Sequence, residues 1–343
     1  MSKAEDVTPP EVAALVAAAS GHPDPWFAAL AAAAIAPDPD EPDVDQALVA
    51  RLEAQVAAGD YERPEVATHD DAAPGPNGVV PVRIYRPGGD APGRPLLVWC
   101  HGGAFLSGDL DMPEADATAR EVCSRAGAVV VSVDYRLSLR GVHHPIPHQD
   151  VLAAYEWAVA HAQDLGAGGM VFVGGASAGA NLAAGVALRL RDQARPPAGV
   201  LLLYPLVHPA LPSPSEELAG KVALLPGRHA FRPDTVKVIV ENYLGAPAGE
   251  ADAFAMAGLG DLRGYPPSLV INCEYDGLRA SGEAFTAALE LAGVPVRQLL
   301  APDVLHGHIN SPWLPQAQQS YADMAAWLLD VADVEPGSFR SRA

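Results

Sequence analysis

From residue 95 onward, short apolar runs alternate with segments of helical length, and this alternation constrains the fold more than any other feature of the chain. The runs are Pro95 to Cys100, Ala128 to Val133, Met170 to Val173, Gly199 to Tyr204, Pro267 to Cys273 and Val296 to Leu300. The middle ones are apolar almost throughout, as strands covered on both faces must be. Helix-like segments separate them: Pro113 to Ala126, Gln149 to Gln163, Ala180 to Asp192, Arg279 to Ala292 and Pro315 to Val331. Such a rhythm implies right-handed crossovers between parallel strands. The predicted class is therefore α/β, a mostly parallel central sheet with helices on both faces. Ahead of it, Val80 to Tyr85 alternates apolar and polar residues and reads as one more strand.

Two stretches fall outside the rhythm. Residues 1–75 read as Ala-rich helices jointed at Pro9-Pro10, Pro23, Pro25, Pro37, Pro39 and Pro42, since proline suits helix starts and the positions just past helix ends. Between Val207 and Leu262 no clear strand is visible, and prolines, glycines and loop residues dominate. The expected organisation is an N-terminal helical cap segment (1–75), an α/β core (76–206 and 263–343) and a cap insertion (207–262) over the carboxyl edge of the sheet.

Composition narrows the partners. A formal net charge of −20 argues against nucleic acid and anionic membrane, both of which it would repel. Cys100, Cys123 and Cys273 are an odd number, widely spaced in apolar stretches, and read as structural thiols of a reducing compartment. No Cys or His spacing points to zinc, and nothing calls for a cofactor. Met1 to Pro10 carries acidic residues and no apolar core of a signal peptide, and Phe27 to Ala36 is too short to span a bilayer. The expectation is a soluble cytoplasmic protein.

The chemistry begins at Gly175-Ala176-Ser177-Ala178-Gly179, which follows the run ending at Val173 and precedes a helix. In a strand-to-helix elbow the turn is sharp and strained, and it lifts the serine hydroxyl above the sheet edge. Small flanking residues are required because helix and strand approach closely there. Ser177 is accordingly the candidate nucleophile. Upstream, His101-Gly102-Gly103-Ala104-Phe105 follows another strand. Glycines let backbone N–H groups reach an oxygen that turns negative during acyl transfer. The N–H groups of Gly102 and Gly103, with that of Ala178, are the candidate oxyanion donors, and His101 reads as a brace for the loop. Asp276 follows the Pro267 to Cys273 strand, with Glu274 as the runner-up acid. His306 follows the last strand, with His308 as the alternative. The order Ser177, Asp276, His306 is the one expected for a nucleophile elbow on an α/β sheet.

Taken together, these motifs resemble the hormone-sensitive-lipase branch of the α/β-hydrolases, the bacterial esterases with a helical cap. The resemblance covers residues 78–335, and more loosely the N-terminal helices. It rests on His101 to Phe105, Asp134-Tyr135-Arg136-Leu137, Gly175 to Ala183, Leu203-Tyr204-Pro205, Glu274 to Arg279 and His306-Gly307. It implies an α/β-hydrolase fold, a Ser177–His306–Asp276 triad, oxyanion donors at Gly102, Gly103 and Ala178, and hydrolysis of small esters with short or medium acyl chains, without a cofactor. The chain departs from that pattern at three places. Ala176 stands where the family usually has Asp, so a carboxylate that braces neighbouring loops is missing. The loop after Leu137 runs long, from Ser138 to His144, without the usual Ala-Pro-Glu. His308 replaces an aromatic, which makes it a candidate at the rim of the acyl pocket.

Phe105 and Trp26, with Phe27, Phe231, Tyr243 and Trp313, are candidate pocket liners. The same triad would serve an amide, carbamate or lactone hydrolase, because a triad does not reveal the leaving group. A relative that only binds small ligands is the third reading, opposed by the presence of His306. An exposed last strand, Val296 to Leu300, would suit pairing into a homodimer.

Overall fold

The computed structural model describes residues 44–57, 59–89 and 93–333. Eight strands build one sheet: β1 (Ala67–Ala73), β2 (Val80–Arg86), β3 (Leu96–Cys100), β4 (Val129–Val133), β5 (Val171–Ala176), β6 (Val200–Leu203), β7 (Ser268–Tyr275) and β8 (Val296–Leu305). Their spatial order is β1-β2-β4-β3-β5-β6-β7-β8. Pairings from β4 through β8 are parallel, and β2 runs antiparallel to both its neighbours.

Helices cover both faces, as the apolar strands require. The described helices are α1 (Gln46–Ala57), α2 (Pro113–Ala126), α3 (Ile146–Ala160), α4 (Ala178–Asp192), α5 (Glu216–Ala223), α6 (Gly227–Ala230), α7 (Pro233–Leu244), α8 (Arg279–Leu291) and α9 (Pro315–Ala332). On one face, Val151 and Ala154 of α3, Leu182 and Val186 of α4, and Phe285 and Leu289 of α8 pack on Val98, Val131, Val173, Leu202 and Val270. On the other, Val122 of α2 and Tyr321, Met324 and Leu328 of α9 pack on Leu97, Trp99, Val130, Leu201 and Ile271. Alternate residues of each strand serve opposite faces, which is why the central strands tolerate no polar period.

The first strand corrects the sequence reading of residues 1–75 as helical. Residues 67–73, Ala-Thr-His-Asp-Asp-Ala-Ala, form an edge strand that is exposed except at Ala73. Side-chain pattern could not reveal it, because its stability comes from main-chain pairing with β2. Asp70 lies directly opposite Arg83, and the two form a bidentate ion pair at 2.7 and 3.1 Å. Of the remaining N-terminal segment, α1 is helical, and residues 1–43 lie outside the described residues.

Between β6 and β7 the described chain holds α5, α6, α7 and two short 3-10 turns, and no strand. Val49 and Leu52 of α1 share a small core with Leu225 and Ala230 from this stretch and Leu305 at the end of β8. Among the described residues, no helix is long and apolar enough to cross a membrane.

Candidate active site

The candidate site residues and their immediate neighbours leave the carboxyl ends of parallel strands: His101 after β3, Ser177 after β5, Tyr204 after β6, Asp276 after β7 and His306 after β8. Open α/β sheets gather ligands along this edge. Ser177 has φ 52° and ψ −116°, a conformation that costs a non-glycine residue energy and persists because its surroundings fix it. Its N–H donates to Leu203 O at 2.9 Å. Gly175 and Gly179 make the elbow sterically feasible. A Cβ on Gly175 would lie 2.4 Å from the Gly179 carbonyl carbon, and one on Gly179 only 2.2 Å from Cys100 O.

Ser177 Oγ is 2.9 Å from His306 Nε2, and His306 Nδ1 is 2.7 Å from Asp276 Oδ2. Because a carboxylate only accepts, Nδ1 carries the imidazole proton and Nε2 is left to accept from the serine. Asp276 is wholly buried, and its other oxygen accepts the Leu278 N–H at 2.9 Å. Glu274 points elsewhere. It pairs with Lys221 at 2.5 Å and accepts the Asp303 N–H at 2.6 Å, which lowers its pKa against the cost of burial.

His308 is not at a pocket rim. It is 1% exposed, with Nδ1 3.2 Å from Cys273 Sγ and Nε2 2.8 Å from Ser320 Oγ on α9. Burial, with the nearby His306, pushes its pKa down to about 3, so it is a neutral core residue. The residue after Gly307 turns inward towards α9 instead of towards the Ser177 side.

The loop after β3 also differs from expectation at one donor. The N–H of Gly102 is already committed, donating to Glu114 Oε2 at 2.6 Å, so it is not a free oxyanion donor. The following residues turn back sharply, with φ of 101° at Gly103, 53° at Ala104 and 65° at Phe105. Among the described residues, no acceptor meets the N–H groups of Gly103, Ala104 or Ala178. His101 braces the loop from below. It is buried, stacks on Tyr135 with centroids 4.5 Å apart and bonds Gly102 O through Nδ1 at 2.7 Å. Burial lowers its pKa, which keeps the ring neutral.

Comparison with known proteins identifies the fold and the family. The family model of the alpha/beta hydrolase fold matches residues 97–310. Esterase LipI of Mycobacterium tuberculosis is 36% identical over 255 residues, covering 72% of this chain and 76% of LipI. The chain belongs to the α/β-hydrolase family, in its hormone-sensitive-lipase-like branch. Carboxylesterase NlhH of the same organism is 33% identical over 241 residues, covering 67% of this chain and 72% of NlhH. Among solved structures, the Pyrobaculum calidifontis esterase superposes with a TM-score of 0.69 at 28% identity, covering 84% of this chain and 92% of that one. The thermostable carboxylesterase EstE1, cloned from a metagenomic library, gives 0.72 at 27% identity, covering 84% and 96%.

Within this family frame, the aromatic candidates separate. Phe105 is fully buried and stacks on Tyr243, ring centroids 4.0 Å apart, so it supports the loop after β3. Phe231 lies against the His306 ring. Trp313 donates to Gln55 O at 3.0 Å and so packs on α1. Trp26 and Phe27 lie outside the described residues. The three cysteines are buried and free, and burial raises the pKa of each.

Sequence reasoning missed Glu114 and Ala104. The only sequence signal for Glu114 was an acid directly after Pro113 at a helix start, where acids are common for dipole reasons. Nothing in its residue type singles out Ala104 beside its two neighbouring glycines, because its strained φ is set by the fold.

Proposed function

We propose that this carboxylesterase-family chain hydrolyses small carboxylic esters of short to medium acyl chains through Ser177, His306 and Asp276. The observation that carries the reading is the unbroken relay from Asp276 through His306 to a serine held in a strained elbow. His306 Nε2 takes the Ser177 proton as the oxygen attacks the ester carbonyl carbon. Asp276 holds the ring in the tautomer that allows this and stabilises the imidazolium that forms. The carbonyl oxygen, now negative, is received by the N–H groups of Gly103, Ala104 and Ala178. His306 returns the proton to the leaving alcohol, whose departure leaves an acyl group on Ser177. Water activated by the same imidazole then releases the acid.

A panel of p-nitrophenyl acetate, butyrate, octanoate and laurate, run beside Ser177→Ala, tests the reading. Ser177-dependent release that peaks at acetate to octanoate supports it. Release that survives Ser177→Ala, or no release on any ester, overturns it. Anilide and lactone substrates run alongside fix the leaving-group preference, and a fluorophosphonate that labels Ser177 alone identifies the nucleophile.

A further inference from the structure

Glu114 sits where three parts of the candidate site converge. It is the second residue of α2, only 2% exposed, and none of the triad bonds includes it. Its Oε2 accepts the Gly102 N–H at 2.6 Å. Its Oε1 accepts from Tyr204 Oη at 2.5 Å and from Asn310 Nδ2 at 3.3 Å. The backbone N–H of Glu114 donates back to Asn310 Oδ1 at 3.2 Å, and its carbonyl accepts the Trp99 indole N–H at 2.9 Å. Every partner of the carboxylate is a donor, so the ionised form uses its acceptors fully. Burial pushes its pKa up, and the three donors oppose that shift.

Each of the three donors is attached to something the proposed reaction needs. Gly102 precedes the two N–H groups assigned to the oxyanion, and fixing its peptide fixes where they begin. Tyr204 is fully buried with a strained φ of 38°, and its ring packs edge-on against His306, centroids 4.7 Å apart. Asn310 closes the turn that follows His306, where its N–H donates to Gly307 O at 2.9 Å. One carboxylate therefore ties the oxyanion loop, the face of the imidazole and the histidine loop to a single helix start. Ala176, beside the nucleophile, offers no carboxylate for that task.

We propose that Glu114 is the positioning residue of this hydrolase, holding the oxyanion donors and the His306 ring in mutual register. The inference rests on the triad reading above. A glutamine at this position keeps the volume but turns one acceptor into an NH2 group facing donors. That mismatch shifts at least one of the three segments, while the substrate-binding surface is left as it was. A shift on the order of 1 Å at reacting groups costs about 10² in rate.

The test compares kcat, KM and thermal unfolding on p-nitrophenyl butyrate for the parent chain, Glu114→Gln, Tyr204→Phe and Ser177→Ala. Glu114→Gln is expected to lower kcat by about 10- to 100-fold with KM within about threefold. Its phosphonylation by a fluorophosphonate should slow in parallel, since that reaction uses the same imidazole and oxyanion donors. Tyr204→Phe removes a single donor and is expected to lower kcat by about 3- to 10-fold, and it decides the matter if Glu114→Gln does not fold. A folded Glu114→Gln with kcat within about twofold of the parent, or with its whole defect in KM, overturns the proposal. So does an unchanged kcat in Tyr204→Phe. Activity that persists in Ser177→Ala removes the triad reading and this inference together, whereas its loss alongside an unaffected Glu114→Gln removes this inference alone.

Discussion

Phe231 lies against the imidazole of His306, ring centroids 4.4 Å apart and planes inclined at 52°. The contact links the stretch between β6 and β7 to the residue that would move the proton. Phe231 follows α6 in a left-handed conformation, φ 46°, and the backbone before it presses on the loop that carries Asp276. A Cβ on Gly277 would lie 2.1 Å from Ala230 O. Tyr204 from the end of β6 and Phe231 from the stretch between β6 and β7 thus both pack against the imidazole. Phe231→Ala is expected to lower kcat about tenfold by loosening the ring, with Phe231→Leu in between. Steady-state kinetics on p-nitrophenyl butyrate check it, and an unchanged kcat would mean that Asp276 and Tyr204 hold the ring without Phe231.

The two acids beyond β7 should respond very differently. Asp276→Asn leaves the geometry but offers the wrong partner to Nδ1, and is expected to lower kcat by about 10⁴. Glu274→Gln loses an ion pair with Lys221 at the edge of the site and is expected to stay within about threefold, since partly exposed pairs contribute little. Rates for both variants, normalised to folded protein, decide which acid serves. Comparable losses in the two would contradict the assignment.

The central strands and helices were legible because both faces of the sheet are buried, so composition alone marks β3, β4, β6 and β7. The candidates Ser177, Asp276 and His306 stand out because they lie four, three and six residues beyond the apolar runs that end at Val173, Cys273 and Leu300, and the strands themselves run on to the residue before each. The missing parts share a different cause. β1 is polar and held by its partner's backbone, so no side-chain period announces it. Glu114 acts through contacts with Gly102, Tyr204 and Asn310, residues far apart in the chain, and nothing local distinguishes it. The Gly102 assignment failed for the same reason, since its N–H is claimed by that distant carboxylate. A pocket-rim place for His308 follows from its standing where the resembling family has an aromatic, but the turn after Gly307 sends it inward.

Buried neutral histidines contribute to the response to acid. His148 and His308 are each pushed down to about 3, mainly by burial, with Arg189 adding to the effect at His148 and His306 at His308. Unfolded, each titrates near 6.5. Below that pH the unfolded chain takes up protons that the folded rings refuse. Each ring's contribution is therefore complete above about pH 6.5 and is lost as pH falls towards 3, at about 1.4 kcal/mol per pH unit. Urea unfolding at pH 7.5, 6.0 and 5.0 should show stability declining with acid. The decline should be shallower in His308→Gln, even though that variant starts lower at pH 7.5 for want of its Ser320 hydrogen bond. Parallel curves for variant and parent would refute the buried-neutral assignment.

Two glycines in helices should behave oppositely on substitution. Gly179, in the first turn of α4, packs its Cα against the β3 carbonyl edge, and a methyl group there would meet Cys100 O at 2.2 Å and His101 O at 2.3 Å. Both contacts are backbone, so relief requires moving the loop after β3 or the helix itself. Gly179→Ala is expected to cost about 3 kcal/mol and to abolish ester hydrolysis even in the fraction that folds, because the elbow and the oxyanion loop separate. Gly220, exposed within α5, meets nothing within 4 Å, and there the methyl only reduces the freedom of the unfolded chain. Gly220→Ala is expected to add about 0.5–1 kcal/mol with unchanged kcat. Denaturation midpoints and rates measured on both variants separate these outcomes. A Gly179→Ala protein as stable and active as the parent would mean that helix and strand do not approach as closely as the elbow geometry requires.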